Sequence, residues 1–253
     1  MNKKTISKTA GIFICLFLLT GCGVQSTSTH KERIALATRD LGEAYLTQGN
    51  PTAALKELLT AEKTIPDDPF LQNDLGLAYM AKKRPELAEQ HFKKAVALRP
   101  DYIPAKNNLG SAYLKQKKWD LAIECFESIT DELLYATPEK PYCNMGWAYL
   151  DKKEYRKAKE NFKKALDIKP DFINAIHGLA TTNLKTEQAH LSLTLLKKAV
   201  KENPEIAVLH YDLAKSYEAT GQGEKAKPSW KAVIKLAPDT DLAREAETYL
   251  NQP

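Results

Sequence analysis

The chain has 253 residues and a formal net charge of +5 at pH 7. Three lysines and no acidic residue lie within residues 1–21, so the formal charge falls from +5 to +2 without this segment. A nearly neutral chain gives little support to nucleic-acid binding, which depends on a strongly basic surface.

The N-terminal segment has the composition of an export signal. Lysines at positions 3, 4 and 8 precede a short apolar stretch from Gly11 to Leu19, which is too short for a transmembrane helix. The stretch ends in Leu-Thr-Gly followed by Cys22, which resembles the bacterial lipobox, in which the cysteine is acylated and becomes the mature N-terminus. The alternative is an ordinary signal peptide that happens to contain Cys22.

Lipidation at Cys22 would anchor the chain in a membrane. One acyl chain holds a protein only marginally, at about 0.8 kcal/mol per buried CH₂, whereas the several chains of a bacterial lipoprotein hold it stably. Gly23, in place of Asp, implies delivery to the outer membrane on its periplasmic face. We therefore expect a signal peptide over residues 1–21 and a lipidated, flexible tether over residues 22–34.

A 34-residue period runs through the rest of the chain. A small residue after Leu or Met recurs, with steps of 34, 34, 36, 34 and 34, at Gly42, Gly76, Gly110, Gly146, Ala180 and Ala214. A proline closes five of the six units, at Pro66, Pro100, Pro170, Pro204 and Pro238. The order of Leu-Gly-x-x-Tyr, then Ala, Phe and Ala, then Pro resembles the tetratricopeptide repeat.

Each unit also has the pattern of two amphipathic helices of about a dozen residues. No unit can bury its apolar face alone, so the units must stack. We predict an all-α, right-handed superhelical solenoid of six tetratricopeptide repeats, each an antiparallel helix pair, with a C-terminal capping helix. The predicted domain covers residues 35–253, with units at about 35–68, 69–102, 103–138, 139–172, 173–206 and 207–240.

Three local features depart from the period. Two extra residues separate units three and four, and we expect the apolar cluster at 133–135 (Leu133, Leu134 and Tyr135) to be buried at that joint. Unit five has Asn183 and Ser192 where Tyr and Ala are usual, which predicts a looser interior. Pro228 lies inside a predicted helix and is expected to kink or shorten it.

The sequence contains no recognisable catalytic or metal-binding motif. None of the five histidines has metal-ligand spacing, and the phosphate-binding Gly-rich loop and the G-x-S-x-G elbow are both absent. We therefore predict a non-enzymatic protein with no cofactor and no metal. An enzyme with a site assembled from scattered residues is the alternative.

Two cysteines remain after the signal and the lipidated residue are set aside. Cys125 lies on a predicted second helix and Cys143 on a predicted first helix, in positions that face different sides of the array. A disulfide requires Cα atoms within about 7 Å. We therefore expect two free, partly buried thiols.

Proteins of this repeat family usually bind peptides or helices on a concave groove lined by the first helices. The phase of the repeat assigns seven residues to this groove: Asn73, Leu77, Asn107, Asn108, Ser111, Asn144 and Trp147. A row of Asn side chains can pair with the backbone of a bound peptide, because each amide both donates and accepts. Trp147 is either an anchor for the partner, worth about 2–4 kcal/mol, or an ordinary packing residue.

The lipobox, the six repeats and the lengthened joint together resemble the PilF/PilW-type lipoproteins, the pilotins of type IV pili. The joint resembles the D-x-L-Y…P…N-x-G kind of segment of that family, reading DELLY at 131–135, then Pro138, then Asn144-Met145-Gly146. This resemblance implies that the protein binds an outer-membrane secretin subunit and promotes its localisation and assembly. The alternative is a lipoprotein adaptor that scaffolds peptidoglycan or other envelope machinery.

Overall fold

The computed structural model describes residues 29–130 and 137–251. These residues form thirteen α-helices and one 3₁₀ turn, and they contain no strand. Twelve helices form six antiparallel pairs, and the thirteenth follows the last pair. The prediction of an all-helical repeat array is therefore confirmed.

The helices of each pair are joined by three-residue turns, except in the fifth pair. The first helices are α1 (His30–Thr47), α3 (Pro69–Ala81), α5 (Ile103–Lys115), α7 (Glu139–Asp151), α9 (Ile173–Lys185) and α11 (Ala207–Ala219). The second helices are α2 (Pro51–Glu62), α4 (Pro85–Leu98), α6 (Trp119–Thr130), α8 (Tyr155–Ile168), α10 (Leu193–Glu202) and α12 (Gly223–Leu236). The 3₁₀ turn (Ala189–Ser192) precedes α10, and α13 (Asp241–Leu250) ends the array.

The array curves with its first helices on the inside. Neighbouring first helices contact one another along the whole row, from α1 and α3 through to α11 and α13. Across residues 29–130 and 137–251, no two neighbouring second helices approach in this way. The first helices therefore line the inner, concave side, and the second helices form the outer side.

The small residue that sets the sequence period marks the closest approach within each pair. A Cβ added at Gly76 would lie 2.4 Å from Cε1 of Phe92, so only glycine leaves room for this ring. Gly42, Gly110 and Gly146 face Leu58, Phe126 and Phe162 in the same way. These four large side chains are fully buried and fill the interior of their pairs.

The turn inside every pair contains one residue in the left-handed αL conformation. These residues are Gly49, Lys83, Lys117, Lys153, Glu187 and Gly221, each seven positions after the small residue of its unit. Glycine adopts this conformation without the steric cost that other residues carry. The backbone thus repeats with the same phase as the sequence.

Unit five carries a pair of buried polar side chains where Tyr and Ala are usual. Asn183 and Ser192 are both buried, and the Asn183 amide donates to the Ser192 hydroxyl at 2.8 Å. The two polar substitutions therefore satisfy each other only in part, because the buried side-chain oxygen of Asn183 has no hydrogen-bond partner among the described residues. Their effect is local, because the first turn of the second helix is replaced by the 3₁₀ turn that ends at Ser192.

Pro228 does not shorten its helix, so that part of the prediction is wrong. α12 is fourteen residues long and has Pro228 in its interior, although the proline cannot donate a backbone hydrogen bond to the preceding turn. Trp230, two residues further on, is 1% exposed. The residues that follow Pro228 therefore still pack into the core.

Helix α13 closes the array by packing on the sixth pair. The rings of Trp230 and Tyr249 stack with centroids 4.9 Å apart. The Tyr211 hydroxyl and the Lys215 ammonium donate to the Glu245 carboxylate at 2.7 and 2.8 Å. α13 therefore occupies the position that a first helix of another repeat would take.

Two of the predictions fall outside the described residues. The apolar cluster at 133–135 lies between α6 and α7, and the lipobox with Cys22 precedes α1. Across residues 29–130 and 137–251, no helix combines the length and the apolar character needed to cross a bilayer.

Candidate functional site

A cleft of about 430 Å³ opens between the first helices of the third, fourth and fifth pairs. Its lining residues are Ser111, Leu114, Lys115, Asn144, Trp147, Asp151 and Asn174. Three of the seven residues predicted for the groove, Ser111, Asn144 and Trp147, lie in this lining. The cleft combines one large aromatic surface with amide, hydroxyl and charged groups.

Trp147 both packs against the core and lines the cleft. Its ring meets the edge of Phe162 with centroids 5.3 Å apart, and it lies 5.3 Å from the ring of His177. The indole is half-buried, so part of its surface remains open to the cleft. The two interpretations of Trp147 are therefore compatible, since packing on Phe162 holds the indole in place.

The Asn row is not uniform. Asn73 is only 4% exposed, and its amide oxygen accepts a hydrogen bond from Asn108 at 2.9 Å. The Asn73 amide nitrogen donates to Asp74 at 3.4 Å. Asn73 and Asn108 therefore bond to each other across neighbouring repeats and do not line the cleft.

Asn107 and Leu77 are not among the residues that line the cleft. The Asn107 side-chain oxygen is buried and has no hydrogen-bond partner among the described residues. Ser111 donates to the Asn107 backbone carbonyl at 3.0 Å. Leu77 is half-buried and packs against the core cluster that contains Phe92. The binding role of these residues remains a prediction.

Asp74 is a buried acid on the concave side of the second pair. Burial, with a contribution from the nearby Glu43 carboxylate, raises the pKa of Asp74 to about 7, although the hydrogen bond from Asn73 opposes the shift. Near neutral pH the Asp74 side chain is therefore divided between its neutral and its charged form.

His177 was missed in the sequence, although the repeat phase places it in the same row as Asn73, Asn107 and Cys143. Its Nδ1 lies 2.8 and 3.0 Å from the two oxygens of Asp212, a carboxylate with a fully buried side chain. Burial raises the pKa of Asp212, and the hydrogen bond with His177 opposes this shift. Asp212 thereby fixes the orientation of the imidazole beside Trp147.

Both cysteines of the array are free thiols, as predicted. Burial raises the pKa of Cys125 to about 11 and that of Cys143 to about 12. The Trp147 indole forms a hydrogen bond that acts against the shift at Cys143. Neither thiol has the lowered pKa that activates a nucleophile.

The described part of the chain offers no cluster for metal binding. Within residues 29–130 and 137–251, no group of three or more His, Cys, Asp or Glu side chains is placed to hold a metal ion. The features of the cleft are those of a recognition surface: an aromatic ring, amides and a hydroxyl.

Tetratricopeptide repeat models match residues 39–103, 79–133, 140–172 and 209–240 of the sequence. The chain is a tetratricopeptide-repeat protein. Proteins of this fold typically act as non-enzymatic scaffolds that bind protein partners.

The fold of this tetratricopeptide-repeat protein is similar to three solved structures. PilF of Pseudomonas aeruginosa matches with a TM-score of 0.71 at 20% identity, covering 87% of this chain and 99% of that one. PilW, described as a widely conserved type IV pilus biogenesis factor, matches with a TM-score of 0.75 at 19% identity, and the match covers 85% of this chain and 99% of PilW. YrrB, described as a repeat protein with an unusual peptide-binding site, matches with a TM-score of 0.53 at 16% identity, and the match covers 76% of this chain and 97% of YrrB. No curated protein matches this chain in sequence.

Proposed function

We propose that this tetratricopeptide-repeat protein is a non-enzymatic lipoprotein of the outer membrane, anchored at Cys22 on the periplasmic face. It holds a protein partner in the concave groove. The partner is a secretin subunit, and the protein promotes its localisation and its assembly during type IV pilus biogenesis.

The observation that carries this proposal is the end-to-end likeness to PilF and PilW. The alignments cover 99% of each of those chains and 87% and 85% of this one. Coverage of nearly the whole length supports the same number of helix pairs in all three proteins.

The cleft supports recognition of an extended segment of the partner. Asn144 and Asn174 lie on neighbouring first helices, α7 and α9, and Ser111 lies on α5. These side chains can donate to and accept from a peptide backbone without reading its sequence. Trp147 between them supplies the apolar surface that dominates the affinity of many interfaces.

Site-specific crosslinking in cells tests the proposal. A photoreactive residue at position 144 or 147 should capture the secretin subunit, because both positions line the cleft. The matched control is position 124 on α6, an exposed residue of the outer side. Capture from position 124 but not from 144 or 147 would refute the groove as the binding surface.

Substitution of the same residues should separate binding from folding. Asn144 makes no side-chain hydrogen bond within the described residues, so Asn144→Ala should change the free energy of unfolding by less than about 0.5 kcal/mol. It should nevertheless reduce the amount of secretin multimers in the outer membrane. Capture of a peptidoglycan hydrolase or synthase, with normal secretin multimers, would instead support the adaptor function.

A further inference from the structure

The two edges of the array carry opposite charge. The turns within the pairs, residues 48–50, 82–84, 116–118, 152–154, 186–188 and 220–222, hold seven Lys or Arg and two Glu residues. The described connections between pairs, residues 63–68, 99–102, 169–172, 203–206 and 237–240, hold three Lys or Arg and six Asp or Glu residues. Because the first helices run parallel, the turns within pairs share one edge, which we call the basic edge.

Most cations of the basic edge have no acidic partner in the part of the chain that the structure describes. Lys118 pairs with Glu89 at 2.7 Å, and Lys152 pairs with Asp120 and Glu154. The other five, which have no carboxylate within 4 Å among the described residues, are Lys82, Lys83, Arg84, Lys117 and Lys153. These five charges come from three successive repeats and reinforce one another.

The backbone gives a second reason to regard these lysines as functional. Lys83, Lys117 and Lys153 have φ of 58°, 60° and 62°, the left-handed conformation in which the first and last turns have Gly49 and Gly221. A side chain in this conformation costs free energy that glycine avoids. Neither backbone geometry nor ion pairing within the described chain accounts for lysine at these three positions.

We propose that the basic edge binds an acidic segment of a protein partner. The choice of a protein as the ligand rests on the proposed function, because the lipid anchor at Cys22 argues against an anionic bilayer in this role. α1 begins at the opposite edge and has eighteen residues, which gives it a length of about 27 Å. The eight residues from Cys22 to Thr29 can span at most about 29 Å. The tether would have to be fully extended around the array before the basic edge could reach the membrane.

Binding of an acidic peptide tests the basic edge directly. The probe is a fluorescein-labelled peptide of alternating Glu and Ser residues, and its anisotropy is measured with the full chain in neutral detergent micelles. The test variant carries Lys83→Gly, Lys117→Gly and Lys153→Gly together, which removes three charges and suits the αL backbone. We expect its affinity to fall about tenfold, because three exposed ion pairs are lost, and the salt dependence to weaken.

A matched control removes the same charge elsewhere. Lys56→Ser, Lys163→Ser and Lys231→Ser change exposed residues on the second helices α2, α8 and α12. This triple variant should bind the peptide with less than about a twofold change, because the charges lie away from the basic edge. Equal losses in both triple variants would show non-specific attraction and overturn the proposal, as would no binding by the unmodified chain.

Two further measurements separate this proposal from its alternatives. If phosphatidylglycerol added to the micelles abolished peptide binding, the basic edge would face lipid, and the acidic partner would be refuted. Peptide binding by the edge without secretin capture at position 147 would refute the proposed function while supporting the edge.

Discussion

Replacing Gly178 with alanine should destabilise the fourth and fifth repeats. The new Cβ would lie 2.2 Å from Cε1 and 2.3 Å from Cζ of Phe162, distances that carbon atoms do not adopt. Phe162 is fully buried, and on its other side a Cβ at Gly146 would lie 2.6 Å from the same Cε1. The Trp147 ring also contacts Phe162 in an edge arrangement, with centroids 5.3 Å apart, so the Phe162 ring has little room to move.

The size of the effect follows from two opposing terms. Overpacking costs about 1–3 kcal/mol, and the upper end applies here because Phe162 is confined on both sides. The higher helix propensity of alanine relative to glycine raises the free energy of unfolding by about 1 kcal/mol. The free energy of unfolding should therefore fall by about 2 kcal/mol, taken from these two terms together.

Urea unfolding followed by circular dichroism measures this change. The same substitution in a Phe162→Leu background provides the control, because the smaller side chain leaves room for the methyl group. There the alanine should raise the free energy of unfolding by up to about 1 kcal/mol, so the two substitutions are strongly coupled. Stabilisation by alanine in both backgrounds would refute the confinement of Phe162.

Three further predictions concern other parts of the array. Asp74→Asn should raise the free energy of unfolding at pH 8 by up to about 4 kcal/mol, because folding raises the pKa of the Asp74 carboxyl from 3.8 to about 7. That gain should fade as the pH falls from 7 to 4; urea unfolding at pH 8 and pH 4 measures it, and an equal gain at both would contradict the shift. Lys83→Gly should raise the free energy of unfolding by about 0.5–1 kcal/mol in the same assay, since glycine suits φ of 58°. A lower free energy of unfolding would argue against a strained turn. Alkylation of the unreduced, unfolded mature chain should label Cys125 and Cys143, and mass spectrometry without any label would show that they are not free.

The fold could be predicted from the sequence because the repeat constrains each unit several times. A large residue followed by Gly or Ala, a large facing side chain and, in five of six units, a closing proline recur with a spacing of 34 residues that is broken once, and stacking leaves little choice of architecture. Asn50 and Asp68 are examples of the local signals, since each caps the helix that follows it, through Ala53 and Leu71.

The candidate site was predictable only in part, because helix phase gives the side of the helix on which a residue lies but not the residue to which its side chain bonds. Phase placed Trp147 and Asn144 correctly in the lining of the cleft. It could not show that Asn73 bonds to Asn108, because that contact joins side chains 35 residues apart. His177 was overlooked for the same reason, since its significance comes from Asp212 in the next repeat.

The cleft lies in the middle of the array, where it stays assembled when the ends unfold locally. Each helix pair is held mainly by its two neighbours, so opening by thermal fluctuation starts at the ends and proceeds one pair at a time. The cleft draws on the third, fourth and fifth pairs, with two pairs on one side and the sixth pair plus α13 on the other. Amide exchange should therefore be fastest in α1 and α13 and slowest in α7, so that fraying of either end leaves the surface around Trp147 assembled.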